Sequence, residues 1–155
     1  MRIYLPTTLP ALAAALAAGR VEGDDGTPLR AYAATAALRG LVGDDDEALE
    51  YEAMRAAADA SLRLLAADPA APRRRVVLAA DIPDTAIDPV HDADPADPGG
   101  PDDPAAVAVR GGVPLKRVAS GHVDDDAAAD DIAAGRTDDH ELLWFATQEL
   151  PYLVE

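Results

Sequence analysis

The stretch Arg73-Arg74-Arg75-Val76-Val77-Leu78-Ala79-Ala80-Asp81-Ile82-Pro83 decides how this chain is read. Val76 to Ala80 are apolar without alternation, and Asp81-Ile82-Pro83 ends the run. A strand with no polar face is buried on both sides, so this segment reads as a central strand of a sheet. The three arginines at its entrance read as a solvated approach that balances nearby aspartates.

Toward the N-terminus, Asp44-Asp45-Asp46 caps the clearest helix, which runs to about Asp68 and is closed by Pro69 and Pro72. Leu49, Ala53, Ala56, Ala60 and Leu64 form its predicted buried face, widened by Met54, Leu62 and Leu65. Asp59 and Arg63 stand at i and i+4 with the favourable polarity. Further upstream, Arg2 to Leu5 is a predicted strand. A helix follows it, with Thr8 as N-cap, Pro10 in the first turn, Leu9, Leu12 and Leu16 on one stripe, and Gly19 as its end. This parse is preferred to a signal peptide because Arg2 is the only positive charge and Pro6-Thr7-Thr8 breaks the apolar run. Val21 to Pro28 is a polar turn, Leu29 to Thr35 a weak strand, and Ala36 to Val42 a helical turn stopped by Gly43.

Toward the C-terminus, Asp84 to Pro104 holds seven aspartates, five prolines and no lysine or arginine. Such a stretch resists both helix and ladder, so it reads as a flexible insertion within a single domain spanning 1–155. Ala105 to Arg110 and Val113 to Val118 flank Gly111-Gly112, the signature of a β-hairpin, with Pro114 placing the returning arm at an edge. That strand is expected to continue through Val123. A short helix over Ala127 to Ala134 is capped by Asp124 to Asp126 and ended by Gly135. Glu141 to Thr147 is read as a strand buried on both faces rather than a helix, and Leu150 to Val154 as a terminal helical turn. The predicted fold is α+β or α/β: one mixed sheet of about five to six strands, with two main helices packed on one face of it.

Composition sets limits on function. The chain has 155 residues, 49% of them hydrophobic, but 36 are alanines, which leaves about 40 large enough to build a single small core. The formal charge of −16 argues against direct binding to nucleic acid or to an anionic membrane. No cysteine is present, so no thiolate chemistry is available. No run approaches the length of a membrane span, and the protein is expected in the cytoplasm. One lysine against twelve arginines fits either GC-rich coding or adaptation to salt.

Three segments, Met1 to Pro6, Arg74 to Pro83 and Asp139 to Glu149, resemble an uncharacterised family of small proteins from GC-rich actinobacteria. The resemblance implies a cytoplasmic bacterial domain. It brings no assigned activity and no catalytic residue.

Two constellations could carry chemistry. On a strand, Ser120, His122 and Asp124 share a face, a spacing at which histidine and carboxylate can hold a divalent metal. Asp81 and Asp84, at the end of another strand, could complete such a site, so His122, Asp124 and Asp81 are the candidate metal ligands of a hydrolase. Against this, Asp124 to Asp126 are ordinary helix caps and His122 an ordinary sheet-edge residue. His140 beside Glu141 and Trp144 is the second constellation, a possible general base. His91-Asp92 and Asp94 lack the pattern of a calcium loop. Ser61 lies inside a helix, and neither it nor Ser120 sits in a nucleophile elbow. No dinucleotide fingerprint follows the first strand, and Gly111-Gly112 before Lys116 lacks the phosphate-loop spacing.

No cofactor is expected, apart from that metal. The leading expectation is a non-enzymatic domain acting on a protein partner, a basic protein among the candidates, or as a homodimer through an exposed strand edge. The alternatives are the metal-dependent hydrolase and an acidic decoy for basic or nucleic-acid-binding proteins.

Overall fold

A computed structural model describes residues 1–23, 28–89, 94, 96–136 and 140–154. Nine strands occur among them: β1 (Arg2–Thr7), β2 (Arg20–Val21), β3 (Leu29–Tyr32), β4 (Val76–Asp81), β5 (Ile87–Pro89), β6 (Ala106–Val109), β7 (Val113–Pro114), β8 (Val118–Val123) and β9 (Leu143–Ala146). Five α-helices accompany them: α1 (Leu9–Ala18), α2 (Ala36–Val42), α3 (Asp46–Ala67), α4 (Asp126–Ala133) and α5 (Leu150–Leu153). Seven strands form one sheet in the order β5-β6-β3-β1-β4-β8-β9, and β2 pairs with β7 in a small second sheet. Each neighbouring pair is antiparallel. The expected mixed sheet of five to six strands is thus a larger antiparallel one, and the fold is α+β.

β4 lies between β1 and β8, and Val76 to Ala80 are all buried. Its alternation serves two cores. Val76, Leu78 and Ala80 join Ile3, Leu5, Leu12 and Leu150 on the face covered by α1 and α5. Val77 and Ala79 join Tyr4, Leu38, Leu49 and Ala53 on the face covered by α2 and α3. The helices therefore flank both faces, not the single face expected. The second core explains why. Eight of its thirteen buried residues are alanines, so α3 rests directly on the sheet with little side chain between. Alanine, discounted as a core former, makes this layer.

On α3 the buried line is Leu49, Ala53, Ala57, Ser61 and Leu65, an i+4 series, while Leu64 is exposed. Of the predicted face Leu49, Ala53, Ala56, Ala60 and Leu65 are buried, and Leu64 is not. Ser61 is fully buried: its Oγ donates to the Thr7 carbonyl at 2.7 Å and accepts from the Val76 N–H at 2.9 Å. One hydroxyl so ties α3 to the end of β1 and the start of β4. Arg63 bonds Asp97 at 2.8 Å rather than its expected helical neighbour Asp59.

Gly111 does turn the chain, with φ +70°, but β6 and β7 do not pair. Both edges of β6 are taken, by β3 and β5, so the returning arm must leave the sheet, and it pairs with β2. The stretch expected as a flexible insertion is built into the fold at both ends. Ile87–Pro89 extends the sheet, and Tyr32 Oη donates to the Gly99 carbonyl at 2.8 Å. Asp103 accepts from the Gly99 and Ala105 N–H groups at 2.9 and 2.8 Å. Residues 90–93 and 95, with His91 and Asp92, lie outside the described residues. β9 forms as a strand but at the edge of the sheet, with Leu143 47% and Trp144 62% exposed, not buried on both faces.

Candidate functional site

The arginine triplet organises this end of the molecule. Arg73 donates to the Leu65, Asp68 and Ala71 carbonyls and so closes the C-terminus of α3. Arg74 bonds the Asp124 carbonyl and the Asp126 carboxylate. Arg75 grips the Asp124 carboxylate with its backbone N–H, Nε and Nη2 at 2.9, 2.8 and 2.8 Å. Its Nη2 also reaches the His140 carbonyl at 3.0 Å. All three guanidinium groups are engaged within the protein, which accounts for the triplet structurally.

The same contacts set where the predicted metal ligands stand. Asp124 is 2% exposed and its carboxylate belongs to Arg75. Asp125, not Asp124, caps α4 through the Ala128 N–H at 2.8 Å. Asp81 bonds Arg2 through Nε and Nη2 at 2.8 and 3.0 Å, which pulls its carboxyl below the usual range. On β4 the partner of His122 is Val77, so Asp81 stands four residues further along, about 13 Å away at strand rise. His122, Asp124 and Asp81 are not brought together. Among the described residues no group of three His, Cys, Asp or Glu could hold a metal ion.

The structure instead joins His122 to His140. Both line a cleft of about 700 Å³ between α3, β8, α4 and the segment entering β9. From α3 come Tyr51, Met54, Arg55, Asp59 and Leu62; Ile132, Glu141 and Leu142 complete much of the opposite wall. His122 Nε2 lies 3.1 Å from Ser120 Oγ, and burial, with a smaller push from Arg2, lowers the imidazole's proton affinity. Ser120 is 5% exposed and does not line the cleft, so the contact orients the histidine rather than offering a nucleophile. His140 Nε2 donates to Asp131 Oδ2 at 2.6 Å, and Asp131 also accepts from Arg136 at 2.7 Å. These bonds hold the Asp131 carboxyl below its ordinary range. The carboxylate beside His140 is thus Asp131 of α4, not the expected Glu141.

Arg55, Asp59 and Asp131 were missed as site residues. Nothing local announces them, because the wall facing α3 comes largely from residues sixty or more positions further along the chain. Asp59 is half-buried, and burial raises its proton affinity.

The fold and cleft define an antiparallel α+β domain with helices on both sheet faces and a two-histidine cleft beside an edge strand. The chain belongs to DUF6912, a family of unknown function whose model matches residues 1–154. No curated protein and no solved structure matches it. Among the described residues, no helix is long and apolar enough to cross a membrane.

Proposed function

We propose that the protein is a non-enzymatic interaction domain that works through the free edge of β9, with a second copy of the chain as its partner. The observation that carries this reading is Trp144, 62% exposed on the outermost strand beside Leu143. Leu143–Ala146 holds no charge, proline or glycine, the devices that ordinarily protect an edge. The opposite edge has such protection: β5 is three residues long, carries Asp88 and ends in Pro89. Ala146 N–H bonds the Glu149 carboxylate at 3.0 Å instead of β8. Alternate residues of β9 therefore turn their main chain outward, and Trp144 is the next of these. Antiparallel pairing centred on Trp144 would join two copies about a two-fold axis and cover both indoles.

Sedimentation at several salt concentrations tests the idea. Two copies of charge −16 repel, so the dimer should strengthen as salt screens them. Trp144→Lys should give a folded monomer. A monomer at every salt concentration would overturn the reading. Binding of a basic protein that weakens with salt would favour the acidic decoy instead.

The hydrolase reading draws no support from the geometry. The decoy reading loses much of its surface, because Asp124, Asp125, Asp126 and Asp131 are bound to Arg75, the α4 N-terminus, Arg74 and Arg136.

A further inference from the structure

Most arginines of this protein find a carboxylate, as Arg2 with Asp81, Arg63 with Asp97, Arg75 with Asp124, Arg110 with Asp88 and Arg136 with Asp131 show. Arg55 and Asp59 feel each other's charge without bonding directly. They stand one turn apart on α3 and both line the cleft, yet among the described residues neither makes a hydrogen bond or ion pair. The Arg-to-Asp order along the helix is the less favourable one for a direct pair. Two opposite charges are so left open on one wall of a concave site. Across from them Leu142 and Ile132, with Leu62 and Met54 of α3, supply apolar surface. His122 Nδ1 has no partner among the described residues and is not buried, so it offers one more polar atom.

The other guanidinium group of the cleft, Arg75, is committed to Asp124, and His140 is bonded to Asp131. A simple anion would meet Arg55 but also Asp59, Glu141 and the field of a −16 chain. A simple cation would meet two guanidinium groups. A molecule of zero net charge carrying both signs avoids both penalties. We propose that this cleft binds a free amino acid with an apolar side chain, its carboxylate on Arg55, its ammonium on Asp59 and its side chain against Leu62 and Leu142. The Asp59 carboxylate is partly desolvated, and although Arg55, Arg75 and Arg63 act on it through space, none bonds it directly, so an ammonium group could do so.

The site is independent of the dimer reading, and its test is direct. The thermal midpoint is measured with L-leucine at about 10 mM, beside N-acetyl-leucine and leucinamide, each of which removes one charge. The fluorescence of Trp144, the single tryptophan, follows the same titrations. Leucine should raise the midpoint by several degrees while both blocked analogues give no shift. Arg55→Ala and Asp59→Asn, each compared with its own ligand-free melt, should abolish the leucine effect. Neither substitution removes a hydrogen bond from the fold, so both variants should remain folded. Equal binding of N-acetyl-leucine would make this an anion site and overturn the proposal, as equal binding of leucinamide would make it a cation site. Absence of any shift, or a leucine effect surviving in both variants, would overturn it as well.

Discussion

Asp124→Ala tests the ion pair on which this end of the molecule hangs. The Asp124 side chain is fully buried and that of Arg75 only 16% exposed, so the pair is not a surface contact. Removing the carboxylate strands a mostly buried guanidinium and leaves the Arg75 N–H without its acceptor. Breaking a buried pair on one side costs about 3–5 kcal/mol, a large share of a stability of about 5–15 kcal/mol. For a domain of this size that lowers the thermal midpoint by roughly 6–20 °C. Replacing both partners, as in Arg75→Met with Asp124→Leu, should recover much of the loss, because no charge is then left buried. Denaturant unfolding of the wild type, both single variants and the double variant gives the coupling directly. A loss under about 1 kcal/mol for Asp124→Ala would show a solvated pair and refute the reasoning. A double variant as unstable as the sum of the singles would do the same.

Other perturbations follow from single contacts. A Cβ on Gly99, at φ +71°, would lie 2.5 Å from the Ala60 backbone nitrogen, whereas one on Gly111, at φ +70°, meets nothing within 4 Å. Gly99→Ala should therefore destabilise by about 2–5 kcal/mol and Gly111→Ala by about 1–2 kcal/mol, compared by denaturant melts. Ser61→Ala leaves the Val76 N–H and Thr7 carbonyl buried and unpaired, an expected cost of about 1–3 kcal/mol by the same assay. The raised proton affinity of Asp59 means that its charge opposes folding above its folded-state pKa, and that this cost disappears as pH falls through that pKa toward the unfolded value. Asp59→Asn should accordingly stabilise at pH 7 and be neutral near pH 3, which melts at the two pH values will show. Excision of 84–104 would be harmless for a mere tether, but it removes β5 and the partners of Tyr32. Calorimetry should find a weakened or lost cooperative transition.

The legible parts of the fold were those set by local sequence. Thr8, Gly19 and Gly43 bound their helices as the residues alone suggest, because capping is a matter of a few neighbouring groups, whereas Thr35, read as the end of a strand, is the N-cap of α2. Val76 to Ala80 announced a central strand because burial on two faces leaves no polar positions. What failed depended on who pairs with whom. Gly111-Gly112 signals a turn, but whether its arms form a hairpin is decided by β3 and β5, which occupy β6 before β7 could. Trp144 and Leu143 suggest a buried strand by their chemistry, yet nothing within Leu143–Ala146 says that, among the described residues, no further strand lies beyond.

The aspartates show the same limit in the site. Read along the chain, Asp84 to Asp103 and Asp124 to Asp131 are two charge runs, and charge runs suggest solvent, metal or a basic partner. In three dimensions many of them hold arginines or backbone N–H groups, some nearby in the chain and some from distant segments. Asp97 reaches Arg63, Asp103 secures Gly99 and Ala105, Asp124 takes Arg75, and Asp131 takes both Arg136 and His140. With these pairs formed, the uncommitted charges are the informative ones. Arg55 and Asp59 had been invisible as a site because each looked like an ordinary surface residue of a long helix. They become conspicuous only when the arginines around them are seen to be engaged and these two, side by side in a cleft, are not.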